Sequence, residues 1–316
     1  MSPALRPTVL WGGLALLAAL PVLTALADQP FYLTLVTRML IFAIAALSLD
    51  LILGYGAMAS FGHAAYLGIG AYAVGILAFH GVTTAWIQWP VAIAASAGAA
   101  ALIGLVSLRT SGVYFIMITL AFAQMLYFFV VSLKAYGGDD GLNLAARSTF
   151  GGPLDLSSDT ALYYLVLALL LGFLLVCRRL VASRFGMVIR GTKSNERRMR
   201  ALGFPTLRYR LAAFALAGTM CGIAGVLLVN LTRFASPAYM HWERSGELIV
   251  MVILGGMGSL IGPIFGAFAL LTLEELLSSY TEHWQLYLGP ILILIVLFAR
   301  RGLYGLIAPA ARAVDG

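Results

Sequence analysis

The sequence predicts an all-α polytopic membrane protein, and three observations carry that prediction. Of the 316 residues, 61% are hydrophobic and only 10% charged, against about a quarter charged in ordinary soluble domains. Apolar runs long enough to cross ~30 Å of hydrocarbon as a helix recur along the chain. Strict alternation of apolar and polar residues, the mark of a membrane barrel, is absent.

The elements follow in order. The first apolar run, 8–27, follows Arg6 and ends in Ala25-Leu26-Ala27, which resembles a cleavage site. Another apolar run starts a few residues later, so the segment is read as an uncleaved first span rather than a signal peptide. Further spans are expected at 33–53, 62–80, 86–107, 112–133, 161–177 and 209–231, then a long run at 246–278 and a last span at 284–300. A single helix over 246–278 would reach ~50 Å, more than a bilayer needs. The stretch "GGMGSLIGP" at 255–263 breaks it into two short helices that enter and return, which makes about ten helical segments. Irregular backbone at membrane depth survives only inside protein or beside a cavity. The break is therefore expected near a pathway. A second glycine-rich stretch, "GYGAMASFGHAAYLGIGAY" at 54–72, joins spans two and three.

Charge sets the orientation. The net charge is +7, and ten Lys/Arg crowd into Arg178–Arg210 between apolar spans. That is the positive-inside pattern of a cytoplasmic loop rather than a nucleic-acid arm. Arg6, Arg109, Arg300 and Arg301 fall on the same side, which puts both termini in the cytoplasm and 134–160 outside. Arg38, Arg233 and Arg244 are exceptions.

Catalytic and metal patterns are missing from the sequence. His63, His80, His241 and His283 are scattered, and Cys177 and Cys221 sit in apolar spans without ligand spacing. "GMVIRGTKS" at 186–194 has one residue too many for a phosphate loop and no preceding strand. No cofactor, metal or enzymatic activity is expected. Candidate pathway residues are the polar or break positions inside spans: His63, Thr119, Gln124, Glu247, Gly255, Gly256 and Gly258. For each a packing role competes: His63 satisfying loop carbonyls, Thr119 and Gln124 facing a partner helix, Glu247 beginning a short helix. Asp50, near the end of span two, is expected to meet water. Tyr66 and Tyr72, flanking Gly68 and Gly70, are read as packing residues.

The cationic loop holds a helix-length stretch, "SNERRMRALGFP". Ser194 or Asn195 can cap it, Glu196 sits in its first turn, Met199 and Leu202 form a small apolar stripe, and Gly203 stops it. This is a docking element for lipid or protein.

The loop and following helix, "SRFGMVIRGTKSNERRMRALGFPTLRYRLAAFALAGTMCGIAGVL", resemble those of LivM-type permeases from ABC importers of branched-chain amino acids. Three blocks match in order: 47–72, 109–125 with "GGDDGL" at 137–142, and 245–267. The resemblance spans roughly 35–300. It implies one transmembrane permease domain over 1–316 in a bacterial cytoplasmic (inner) membrane. It further implies a second permease chain, two cytoplasmic ATPases and a periplasmic solute-binding protein as partners. The loop at about 183–208 would be the segment that inserts into the ATPase, through Glu196, Ala201, Leu202 and Gly203. Arg-Arg-Met at 197–199 departs from the small or aliphatic residues usual there. The expected cargo is a branched-chain amino acid or a related small polar solute such as urea or an amide. A stand-alone secondary transporter is the alternative, but such proteins place an ionisable group in a discontinuous helix, and neither glycine-rich break contains a carboxylate.

Overall fold

A computed structural model describes residues 5–151, 156–298 and 302–307. Twelve helices occupy most of them: α1 (Leu5–Leu26), α2 (Pro30–Leu53), α3 (His63–Phe79), α4 (Ala85–Ser107), α5 (Val113–Ser132), α6 (Asp159–Ala182), α7 (Arg184–Ala201), α8 (Thr206–Thr232), α9 (Trp242–Gly255), α10 (Gly262–Tyr280), α11 (Trp284–Phe298) and α12 (Gly302–Ile307). Each expected span has a helix, and the long run divides into α9 and α10 at the glycine-rich break. The helices α7 and α12 are additional. Five helices, α2, α4, α5, α6 and α8, are long and apolar enough to cross a membrane.

Burial separates the centre from the periphery. The most apolar stretch of α2 is 83% buried and that of α8 72%, against 22% for α5. Exposed Met117, Met125, Phe128 and Phe129 on α5 thus form an apolar outer face with no protein partner among the described residues. At the centre α3 lies against α8, where glycines remove the side chains that would hold the helices apart. A Cβ at Gly70 would collide with the carbonyl of Gly222, and one at Gly225 with the carbonyl of Leu67. Small residues at such seams let dispersion act over the whole contact, the main attraction between helices in lipid. Tyr66 packs edge-on against Phe214, ring centroids 6.0 Å apart, and the Cys221 thiol donates to the His63 carbonyl at 3.4 Å. Tyr66 is therefore a packing residue, as expected.

The short helix α3 begins inside the bundle. A Cβ at Gly62 would strike the carbonyl of Thr119 in the middle of α5, and the His63 ring reaches Ser48 of α2 at 2.8 Å. Residues 54–62 thus cross part of the bundle as irregular backbone with Gly54, Met58, Ser60 and Gly62 buried, as backbone inside protein or beside a cavity can be.

The bundle has two distinguishable ends. At one, α7 bridges the end of α6 and the start of α8, beside the end of α2 and the α9–α10 break. At the other, β1 (Leu142–Asn143) pairs antiparallel with β2 (Phe234–Ala235). There too Arg147 bonds Asp159 at 2.5 Å and the Leu156 carbonyl at 3.0 Å. Residues 1–4, 299–301 and 308–316 lie outside the described residues, and with them Arg300, Arg301 and both chain ends.

Candidate functional site

The α7 helix has two arms. Asn195 leaves the helical region (φ −157°, ψ 98°), and its Oδ1 accepts the Arg198 N–H at 3.0 Å. Asn195 therefore caps a new helix, as its short polar side chain favours. The expected helix is present, but an unexpected arm, Arg184–Ser194, precedes it and buries Gly186, Val188, Ile189 and Thr192 against the bundle. The second arm stops at Gly203, whose φ is +87°. Gly203 N–H bonds the Arg200 carbonyl at 2.9 Å and Phe204 N–H the Met199 carbonyl at 3.2 Å. This is a Schellman stop, which needs the left-handed conformation that glycine adopts without strain.

Glu196 is more than a first-turn anion. Its carboxylate accepts from Arg200 at 2.5 Å, from Arg210 of α8 at 3.2 Å and from Thr206 at 3.3 Å. Arg210 is 8% exposed, and among the described residues Glu196 is its only anionic partner. Partial burial raises the carboxyl's pKa, but the Arg200 hydrogen bond, the Arg210 and Arg200 charges and Thr206 outweigh it and hold the value below the ordinary 4.5. The second arm is thus clamped to α8 while its tip stays open. Leu202 is 66% exposed, Phe204 40% and Leu207 37%. Met199 instead turns inward over Gly191, so the expected Met199–Leu202 stripe is divided between an inner and an outer face.

The first arm reaches the break. The Lys193 ammonium donates to the Gly54 carbonyl at 2.7 Å. One turn earlier, the Asp50 carboxylate accepts Gly258 N–H at 2.7 Å and Leu260 N–H at 3.2 Å. The expectation that Asp50 meets water is corrected: it has no exposed surface. It pins the break, because a buried carboxylate needs donors and the turn points two orphan N–H groups at it. The turn itself requires unusual backbone, with φ +116° at Gly256, +78° at Gly258 and +59° at Leu260. Gly255 abuts the Gly262 carbonyl so closely that neither helix tolerates a Cβ there.

The remaining candidates are dispersed. His63 is fully buried and bonds the Ser48 hydroxyl rather than loop carbonyls. Thr119 is buried at the crossing of residues 54–62, with its hydroxyl bonded to the Ile116 carbonyl at 2.9 Å. Gln124 carries a buried amide nitrogen without a partner among the described residues. Glu247 does not begin its helix. α9 starts five residues earlier at Trp242 with Glu243 in the first turn, and Glu247 pairs with Arg244 at 2.6 Å. Sequence reasoning missed Asp50, Lys193 and Arg210. The visible signal was a carboxylate four residues before a glycine-rich break and a lysine inside the loop.

A family model described as the permease component of branched-chain amino acid transport systems matches residues 31–299. The chain belongs to this family. The high-affinity branched-chain amino acid transport system permease proteins LivM of Salmonella typhimurium and Escherichia coli are each 27% identical over 303 residues, 89% of this permease and 71% of theirs. LivH of Salmonella typhimurium, from the same class of transport system, is 30% identical over 125 residues, 39% of this permease and 40% of its own length. The xylose transport system permease XylH of Escherichia coli is 33% identical over 138 residues, 40% and 35% of the two chains. No solved structure matches the permease.

Proposed function

We propose that this permease is the membrane-spanning subunit of an ATP-driven importer and that the second arm of α7 takes force from a separate ATPase. The observation that supports this is the exposed apolar tip Leu202–Phe204–Leu207, carried on a helix clamped by Glu196 and stopped at Gly203. A clamped helix transmits displacement, and an apolar tip ringed by arginines suits a groove in a protein better than water. Ala201 and Leu202 make the contact, and Glu196 and Gly203 hold it in place. The α7 end faces the cytoplasm, as do both termini. A second, related permease, two ATPases and an extracytoplasmic solute-binding protein complete the transporter in a bacterial cytoplasmic membrane, and 1–316 acts as one permease domain. The cargo is a branched-chain amino acid or a similar small polar solute, consistent with the family and its relatives. The cargo route runs past the crossing at His63 and Thr119 and past the Asp50-pinned break at Gly255, Gly256 and Gly258.

The test is uptake of labelled L-leucine into proteoliposomes holding the permease with its partner permease, ATPases and binding protein. Uptake that requires ATP, survives collapse of the proton gradient and is lost in Leu202→Asp is the expected result. Uptake by the permease pair without an ATPase would overturn the reading.

A further inference from the structure

At the end opposite α7, a cavity of about 290 Å³ opens between α2, α5, α9, α10 and α11, near the lower edge of the ~300–1,000 Å³ usual for small-molecule sites. Its lining is unusually charged for an apolar protein. Arg38 of α2, Glu243, Arg244 and Glu247 of α9 and Glu274 of α10 all face it, beside His241, Tyr127 and Trp284. Arg244 and Glu247 satisfy each other at 2.6 Å. Arg38 and Glu274 do not: neither side chain has a hydrogen bond or ion pair among the described residues. Arg38 only approaches the Phe42 ring, at 5.8 Å.

Arg38 sits two turns inside α2, whose following residues Met39–Leu53 are all buried. A charge in such a helix is expensive and marks a functional site, with its counter-charge named. Here the counter-charge is not in ion-pairing reach: Glu247 and Glu275 repel the Glu274 carboxylate, while Arg38 and Arg244 attract it from a distance. The cavity therefore holds the Arg244–Glu247 ion pair, an exposed Glu243 beside His241 at 3.6 Å, and two charges of opposite sign without a partner, Arg38 and Glu274, on different helices. A ligand with a single charge would leave one of them uncompensated. A ligand with an anionic and a cationic group a short distance apart compensates both.

We propose that this cavity is an entry site for the zwitterionic head of an α-amino acid, with Arg38 taking the carboxylate and Glu274 the ammonium. The inference rests on the importer reading and adds to it a place and a recognition chemistry. Arg suits the first role because its planar fork matches a carboxylate in two bonds. The aromatic walls, Tyr127 and Trp284, are left to meet the ligand's apolar side chain. The Arg244–Glu247 pair lends rigidity to the α9 wall. An uncharged cargo such as urea would have no use for this arrangement.

The permease, purified with its partner permease in nanodiscs, is titrated by saturation-transfer NMR with three probes of one carbon skeleton: L-leucine, L-leucinamide without the carboxylate, and isocaproate without the ammonium. L-Leucine should bind about tenfold more tightly than either analogue. Arg38→Gln should remove the advantage over leucinamide and leave leucinamide binding unchanged. Glu274→Gln should remove the advantage over isocaproate and leave isocaproate unchanged. Damage to the fold would weaken all three probes together, so this selective pattern is a signature of the site. Equal binding of the probes, uniform weakening, or L-leucine binding unaffected by both variants would overturn it. ATP-driven L-leucine uptake by the assembled transporter separates the two levels. Uptake without the selective pattern removes the site alone, and no ATP-driven uptake removes the importer reading beneath it.

Discussion

The Lys193 ammonium and the Gly54 carbonyl meet at 2.7 Å, joining residues 139 positions apart. Gly54 follows α2 directly, and its own N–H returns to the Asp50 carbonyl at 2.7 Å. The first arm of α7 is thus tied to the residues that hold the α9–α10 break. Lys193→Met keeps the stem and removes the donor. ATP-driven uptake should fall several-fold while membrane insertion is unchanged and stability drops by about 1 kcal/mol. Equal loss of uptake and of inserted protein would show that Lys193 only supports folding.

Asp50→Asn removes the charge without changing shape. One amide group then faces a backbone N–H that it cannot accept from, which costs about 1–3 kcal/mol for the orphaned donor. The melting temperature of the purified chain should fall, and hydrogen exchange at Gly258 and Leu260 should quicken before exchange in α3 or α8. Uniform acceleration would mean that the break is not a separate unit.

Glu196→Ala strips the nearly buried Arg210 of its counter-ion. A charged hydrogen bond of this kind contributes about 1.5–3 kcal/mol, more than the few tenths to 1 kcal/mol of a dipole-favoured anion. Uptake should be lost while the remaining helices still insert. The wild-type clamp has a pH dependence whose sign follows from the lowered carboxyl pKa. Its stabilisation is complete above the unfolded value of about 4.3 and disappears as the pH falls through the lower folded value. Exchange protection of residues 196–203 should therefore persist at neutral pH and fail only in acid. Failure between pH 6 and 7, roughly two units above ordinary glutamate, would exclude Glu196 as its source.

At Gly203, conformation and bulk can be separated. A Cβ there would meet nothing within 4 Å, so any penalty comes from the positive φ. Gly203→Val should uncouple ATP hydrolysis from uptake. Gly203→Asn, which tolerates the left-handed region, should keep most of both activities. Equal loss in the two variants would point to the exposed surface instead of the turn.

Orientation is checked by labelling single added cysteines in intact cells. Ala146→Cys should react with an impermeant maleimide and Ser194→Cys should not, since both positions are exposed and lie at opposite ends. Cys177 and Cys221 are buried, so neither adds background. Reversed labelling would invert the transporter and leave the α7 tip with no access to ATPases.

Span positions were legible because apolar length is a local property, and the division at 255–263 was legible because no bilayer fits the undivided run. The cap at Asn195 and the stop at Gly203 were equally local. What stayed hidden depends on distant pairing. Asp50 reads as a carboxylate near a helix end until Gly258 and Leu260 turn their N–H groups toward it. Glu196 reads as a dipole anion until α8 brings Arg210 alongside. Hydropathy places the start of α9 late because Glu243 and Arg244 lower it where the helix already runs. Arg38 reads as an exception to the charge rule, because its cavity requires four other helices.

The glycine seam between α3 and α8 bears on how the chain is made. The Cys221 thiol and the His63 carbonyl it contacts are 158 positions apart, and synthesis proceeds from the N-terminus. α3 therefore leaves the ribosome well before the surface that its glycines are shaped to receive. Until α8 arrives, the start of α3 has polar backbone in hydrocarbon without its final partners, a costly state in lipid. The nascent chain must shelter that segment in the insertion machinery or against α2, where Ser48 already waits for His63. A ribosome stalled before Thr206 would leave α3 the least settled segment of the truncated product, open to quality-control proteolysis.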